Sequence, residues 1–440
     1  MIIALTLFCS LLYFPDFDNQ QAQRASALVV MAAVLWITEA IPLALTGLLI
    51  PVIAIFLQLT YPLVAFREFS NPILFLFLGG FALAGALSRH SVDKMLARKL
   101  IRLAHGNFYR SAILLMFATS MIACWVGNTS SAAMMIPLAL GMLGVVDKNK
   151  ISAESRFLMI GIAYSANAGG ILTIISTPPN AIGGAILGLS FIEWMKYSLP
   201  LFLITFPLMI AVLTLYFKPD KKIIMTDIVI ERDKAAPVKT LAAIFLIIVT
   251  LWMTDGLISP LLNIESNFNS LVAIFAVFLL FITKILSWEE ILKSVRWEIL
   301  ILFGGGLTLG MVIDESGLGA LLIEQVAGLI EFVPMIIFLW IIVIFCIVLT
   351  EFMSNTASAA MILPLLFVLA NQLKINPVIL VLPATIAASY GFMMPVGTPP
   401  NAMAFSTGFI PQKDMLKAGF IINVLFSITL TSFFYLMFYW

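Results

Sequence analysis

Two stretches of uncharged polar side chains, far apart in the chain and alike in sequence, hold its most concentrated chemistry. The first is Cys124-Trp125-Val126-Gly127-Asn128-Thr129-Ser130-Ser131-Ala132-Ala133-Met134-Met135-Ile136-Pro137. The second is Glu351-Phe352-Met353-Ser354-Asn355-Thr356-Ala357-Ser358-Ala359-Ala360-Met361-Ile362-Leu363-Pro364. In one register both read Asn-Thr, then Ser-Ala-Ala-Met, then Pro. Each is followed by a second paired motif, Ser176-Thr177-Pro178-Pro179-Asn180 and Gly397-Thr398-Pro399-Pro400-Asn401. All four lie in apolar surroundings, where amide and hydroxyl groups are costly unless they face protein, water or a ligand. Adjacent prolines cannot continue a helix. A broken helix exposes unpaired N–H groups at one half-helix start and unpaired carbonyls at the other half-helix end. N–H groups and hydroxyls suit a carboxylate or sulfate. Carbonyl and Asn oxygens suit a hard cation such as sodium. Such a site holds anion and cation together without Arg or Lys, and Glu351 is the nearest ionised group. A single Asn-Thr pair reads as glue between helices, and a single Thr-Pro-Pro-Asn as a proline kink. The pairing of both favours a ligand site between two repeats.

The elements that position these groups are membrane helices. The sequence is 62% hydrophobic and 11% charged, against roughly 45–50% and 25% in soluble domains. Strand alternation is absent, which excludes a barrel. Cys9, Cys124 and Cys346 are dispersed and give neither a disulfide framework nor zinc spacing. With His90 and His105 as the only histidines and no His-Glu-x-x-His, a zinc membrane protease is excluded. An intramembrane enzyme would need clustered His, Asp or Glu at membrane depth, which the sequence lacks, so the chain reads as no enzyme. No Lys-Ser/Thr follows the glycine runs at Gly79 and Gly304, so they read as close helix packing and not as a phosphate loop.

Apolar runs predict spans over 1–14, 25–40, 42–59, 71–87, a broken span over 156–189, and 192–217. Residues 15–24 read as a loop and 89–105 as a basic helix. Residues 109–146 carry their polar motif at mid-length, which predicts a re-entrant hairpin. After a charged linker the pattern repeats, with Leu251-Trp252-Met253-Thr254-Asp255 echoing Leu35-Trp36-Ile37-Thr38-Glu39. A second hairpin follows over 335–373, a second broken span from 377, and a last span over 419–440. Glu39 and Asp255 read as helix ends near water. The fold class is an all-α integral membrane protein with about eleven transmembrane helices plus two re-entrant hairpins in inverted repeats. With the N-terminus inside and the C-terminus outside, only Arg24, Arg67, Lys196 and Lys374 face outward, out of 24 Lys and Arg. The positive-inside rule selects that orientation.

These residues resemble the divalent anion/sodium symporter (DASS) family. The likeness rests on the paired Ser-Asn-Thr-like tips, the paired Thr-Pro-Pro-Asn breaks and the segment Ala388-Ser389-Tyr390-Gly391-Phe392-Met393-Met394-Pro395-Val396-Gly397-Thr398-Pro399-Pro400-Asn401, and it extends over nearly the whole chain. It implies an inner-membrane homodimer that carries di- or tricarboxylates or sulfate with sodium, by an elevator mechanism, with no organic cofactor and no nucleic-acid partner. A sodium-independent dicarboxylate exchanger is the alternative. It implies a scaffold in residues 1–105 and 241–332, a transport domain in 106–217 and 333–440, and a cytoplasmic linker at 218–240. Substrate would meet Asn128, Thr129, Thr177, Pro178, Ser354, Asn355, Thr356, Thr398 and Pro399. One sodium would sit with Thr350, Asn355 and the carbonyls of Met353 and Gly397. The other would sit at Gly127, Asn128 and the carbonyl of Ser176. There the chain departs from the family: Gly127 and Ala123 stand where serine ligands are usual, so the first sodium site is expected to be weak. Restoring serine at both positions is expected to strengthen it.

Overall fold

A computed structural model describes residues 1–13, 19–90, 103–146, 151–225, 238–264, 267–321 and 333–439, together with residues 92, 95 and 99. Most of the basic segment 89–105 and the centre of the 218–240 linker lie outside the described residues. Twenty α-helices are named here. The first ten are α1 (Ile2–Tyr13), α2 (Gln20–Thr38), α3 (Leu43–Phe56), α4 (Pro62–Arg67), α5 (Ile73–Arg89), α6 (Phe108–Val126), α7 (Asn128–Val146), α8 (Ala153–Gly169), α9 (Pro178–Leu187) and α10 (Phe191–Phe217). The second ten are α11 (Val238–Met253), α12 (Asp255–Leu261), α13 (Phe268–Ile282), α14 (Trp288–Ser294), α15 (Trp297–Glu315), α16 (Met335–Phe352), α17 (Asn355–Gln372), α18 (Val378–Ala387), α19 (Pro399–Ser406) and α20 (Gln412–Tyr439).

Eight described helices are long and apolar enough to cross a membrane, and three of these are hairpin arms. A ninth span forms if α11 and α12, bent by 80° at their junction, are taken together. Shorter apolar helices include α3, α13 and α18. Both predicted breaks are present, because Pro178 and Pro399 each start a new helix at its first position. There a missing N–H costs nothing. Two boundaries differ from expectation. Helix α2 starts at Gln20, inside the expected loop, because the Asn19 side chain caps it by accepting from the Gln21 and Ala22 amides. Helix α20 starts at Gln412 and extends seven residues ahead of its apolar run, carrying Lys413, Asp414 and Lys417 as helix.

Close packing accounts for the glycine runs, as expected. A Cβ on Gly79 of α5 would collide with the backbone of Ala273 in α13, and one on Gly305 of α15 with the backbone of Gly47 in α3. Helix pairs α5/α13 and α3/α15 therefore approach to backbone contact. Around the hairpins, α6 packs on α7 and α8, while α8 also meets α19 of the second half. Correspondingly α9 packs on α17 and α18. Each broken span thus lies against the other half's hairpin or broken span, and the two sequence copies become one body.

Candidate substrate and cation site

The first hairpin turns in a single residue. Helix α6 ends at Val126, Gly127 takes φ +90° and ψ 156°, and α7 begins at Asn128. That conformation is essentially reserved for glycine. A Cβ at this position would also sit 3.0 Å from the Ser176 carbonyl oxygen. Gly127 is therefore a requirement of the turn, which corrects the view of it as a ligand merely lost. The second hairpin turns more openly. Met353 is extended and Ser354 caps α17, its hydroxyl accepting from the Ala357 amide at 3.2 Å.

Each broken span is held by the asparagine of its Thr-Pro-Pro-Asn motif. The Asn180 amide donates to the carbonyls of Gly170 (2.7 Å) and Thr173 (2.8 Å). The Asn401 amide donates to those of Gly391 (2.9 Å) and Met394 (3.1 Å). Acceptors and donor sit at one common offset between the halves, so the duplication in sequence is a duplication in geometry. Both side chains are buried and both serve the backbone of their own break.

The breaks are joined through Asn167, a residue the sequence reading did not single out. Its Oδ1 accepts from Asn128 Nδ2 at 3.0 Å, and its Nδ2 lies 2.9 Å from Thr398 Oγ1 and 3.3 Å from Asn401 Oδ1. The first hairpin tip is thus wired to the second broken span. A lone buried amide in the apolar run of α8 was the available signal.

One cavity of about 1130 Å³ gathers the sequence-derived residues. Asn128, Thr129, Thr177, Pro178, Ser354, Asn355, Thr356, Thr398 and Pro399 all line it, as do Met353 and Gly397. Thr350 lies behind the second tip, fully buried. Its Oγ1 is 2.7 Å from Asn355 Oδ1 and 2.8 Å from the Ala388 carbonyl oxygen. Three oxygens converge there around one hydroxyl proton, a donor-poor cluster that suits a hard cation. Behind it Glu351, 3% exposed, accepts from the Met393 amide (2.7 Å), the Met394 amide (2.8 Å) and Asn423 Nδ2 (2.7 Å). This carboxylate ties the hairpin arm to the second broken span.

The first tip has less to offer a cation. Asn128 Oδ1 already accepts from the Thr129 amide at 2.8 Å, and its Nδ2 is given to Asn167. The Ser176 hydroxyl is directed to the Gly170 and Thr173 carbonyls. The expectation of a site without Arg or Lys is also corrected, since Glu39, Lys293, Arg296 and Glu298 stand in the same cavity wall. Arg296, between α14 and α15, comes within 3.9 Å of the Cβ position at Gly127. Although the side chain is open to the cavity, the surrounding protein lowers its pKa by desolvation, with Glu298 opposing. An arginine still keeps its proton at physiological pH. Its distance from the tips along the sequence hid it. Glu39 caps the end of α2 in a left-handed conformation, exposed to the cavity, in keeping with its reading as a helix end.

Comparison with known proteins fixes the family. The citrate transporter family (CitMHS) matches residues 33–380 and 339–440. The chain belongs to the citrate-transporter family. An uncharacterized transporter of Haemophilus influenzae is 39% identical over 96% of this chain and 93% of the relative. The sodium-dependent dicarboxylate transporter SdcS of Staphylococcus saprophyticus is 34% identical over 97% of this chain and 87% of the relative. The YdaH transporter of Alcanivorax borkumensis, a crystal structure described as having an unusual topology, shares the fold. It aligns with a TM-score of 0.60 at 14% identity, over 94% of this chain and 99% of that one. This citrate-family protein is a multi-pass membrane transporter and not an enzyme, and its resemblance to the divalent anion/sodium symporters stands.

Proposed function

We propose that this citrate-family transporter carries di- or tricarboxylates, or a related divalent anion, across the cytoplasmic membrane with sodium. The observation that carries the proposal is the convergence of both hairpin tips and both Thr-Pro-Pro starts on one cavity. Two half-helix N-termini, at Pro178 and Pro399, bring positive dipole ends to that cavity. Hydroxyls of Thr129, Ser354, Thr356, Thr177 and Thr398 add donors for carboxylate oxygens. Asn128, Asn355, Pro178 and Pro399 complete the wall. Thr350, Asn355 and the Met353 and Gly397 carbonyls would hold a sodium ion, which supplies positive charge beside the anion. The SdcS relatives, named sodium-dependent dicarboxylate transporters, support this choice of ion and cargo.

The mechanism proposed is an elevator. Residues 106–217 and 333–440 move as the transport domain against a scaffold of 1–105 and 241–332, in a homodimer whose halves are inverted repeats. Placing the N-terminus inside puts Lys293 and Arg296 on the cytoplasmic side, so the cavity they line is an inward-open one. An orphan hydroxyl supports a ligand there: Thr177 Oγ1, at the first half-helix start, has no hydrogen-bond partner among the described residues. The test is uptake of labelled succinate, citrate and sulfate by purified protein in proteoliposomes, with and without an inward sodium gradient. Uptake that requires the gradient supports symport. Uptake that requires only internal dicarboxylate supports the exchanger reading. Absence of uptake for all three anions refutes the proposal.

A further inference from the structure

We infer that Arg296 is a substrate-binding residue that pairs with a substrate carboxylate beside the first hairpin tip. This rests on the carboxylate-transport reading above. Position is the first observation. The Arg296 Nη2 and the Ser176 carbonyl oxygen lie 3.9 Å and 3.0 Å from one point, the Cβ position at Gly127. A guanidinium therefore stands within reach of the first hairpin tip and of the Ser176 carbonyl. A sodium ion at this spot would face a like charge at short range.

The donor and acceptor inventory points the same way. Gly127 has no side chain, Ala123 has no hydroxyl, and the Asn128 amide is spent on Asn167 and Thr129. Few free oxygens remain for a cation at this tip, whereas the second tip has three around one proton. Arg296, in contrast, makes no hydrogen bond or ion pair with the described residues, and its planar fork of donors is unspent. It lines the main cavity and also a smaller one of about 130 Å³ behind the tip, beside Ser130 and Ser176. Its root is fixed, because the preceding Val295 is buried at 5% exposure.

An unspent guanidinium open to a carboxylate-sized cavity is suited to bidentate pairing with a carboxylate. Arg296 belongs to the segment assigned to the scaffold, so the pairing forms in this state of the transporter and must break when the transport domain moves away. Glu298 and Lys293, elsewhere in the same wall, set the field around it. The competing account is an arginine that merely marks the cytoplasmic side of the membrane.

The experiment compares wild type, Arg296→Gln and Arg296→Lys, as full-length protein in proteoliposomes, for uptake of succinate and of its monoamide. Loss of a charge-assisted pair predicts a rise in the succinate KM of about tenfold or more in Arg296→Gln. The monoamide, with one carboxylate already removed, is expected to change far less. Arg296→Lys keeps the charge without the fork, so its succinate KM is expected to fall between the other two. An unchanged succinate KM in either variant, or an equal rise for both substrates, overturns the inference. If Arg296→Gln does not assemble, the Arg296→Lys comparison alone decides. Wild-type protein that moves neither succinate, citrate nor sulfate overturns the transport reading itself, a result distinct from either of these.

Discussion

Replacing Gly127 tests whether its absent side chain is a missing ligand or a condition of the turn. At φ +90° and ψ 156° the backbone lies where a side chain costs about 1–3 kcal/mol. The 3.0 Å approach to the Ser176 carbonyl adds a contact that neither backbone can relieve without shifting the first break. At about 1.4 kcal/mol per tenfold, the population of correctly formed tips falls by about 5- to 150-fold if the strain is borne by the tip alone. Gly127→Ser and Gly127→Ala are both expected to lower the uptake rate to this degree, with protein still in the membrane. The control is Ala123→Ser, inside α6, where a serine meets no such backbone demand. Succinate uptake by equal amounts of reconstituted protein, titrated with sodium, gives both rate and half-maximal sodium. A Gly127→Ser protein with full rate and a lower half-maximal sodium concentration would refute the reasoning. It would show that the turn accepts a hydroxyl and that the serine was a ligand after all.

Three further outcomes follow from the proposed site. Asn355→Ala is expected to abolish uptake and Asn128→Ala to reduce it nearly as far, since each removes a cavity-lining amide whose loss costs about 1–3 kcal/mol; normal uptake by both at normal expression refutes the site. Thr350→Ala takes one oxygen from the three-oxygen cluster at the second tip, so half-maximal sodium is expected to rise, and an unchanged sodium curve removes Thr350 from the cation site. In a background without Cys9, Cys124 and Cys346, a cysteine at Lys222 is expected to label only from the cytoplasm and one at Arg67 only from outside, and the reverse pattern overturns the orientation.

Much of the candidate site was legible because its motifs are written twice. Asn128 and Asn355, or Thr177 and Thr398, each gain meaning from the partner in the other half, and all four line the cavity. The glycine runs were legible because close packing has few other signatures, and Gly79 and Gly305 do meet neighbouring backbone. What stayed hidden had no duplicate. Arg296 approaches the first tip only through the fold, and in sequence it is one more cation in a basic loop. Asn167 looks like an isolated polar residue until Asn128 and Thr398 are seen on its two ends. The φ of Gly127 is a property of a turn whose length no composition reveals. Helix starts at Gln20 and Gln412 were missed for a simpler reason: hydropathy finds the membrane core, while capping by Asn19 decides where α2 begins.

The paired asparagine clamps bear on where the work of transport is done. The Asn180 and Asn401 amides each donate to carbonyls of their own interruption, and Asn401 Oδ1 also accepts from Asn167. If the transport domain moves as proposed, an interruption held in this way would carry those bonds with it, with no need to exchange them for water on the way. In that mechanism the energetic obstacles to passage would lie at the seam against neighbouring helices and in the cargo's own charge.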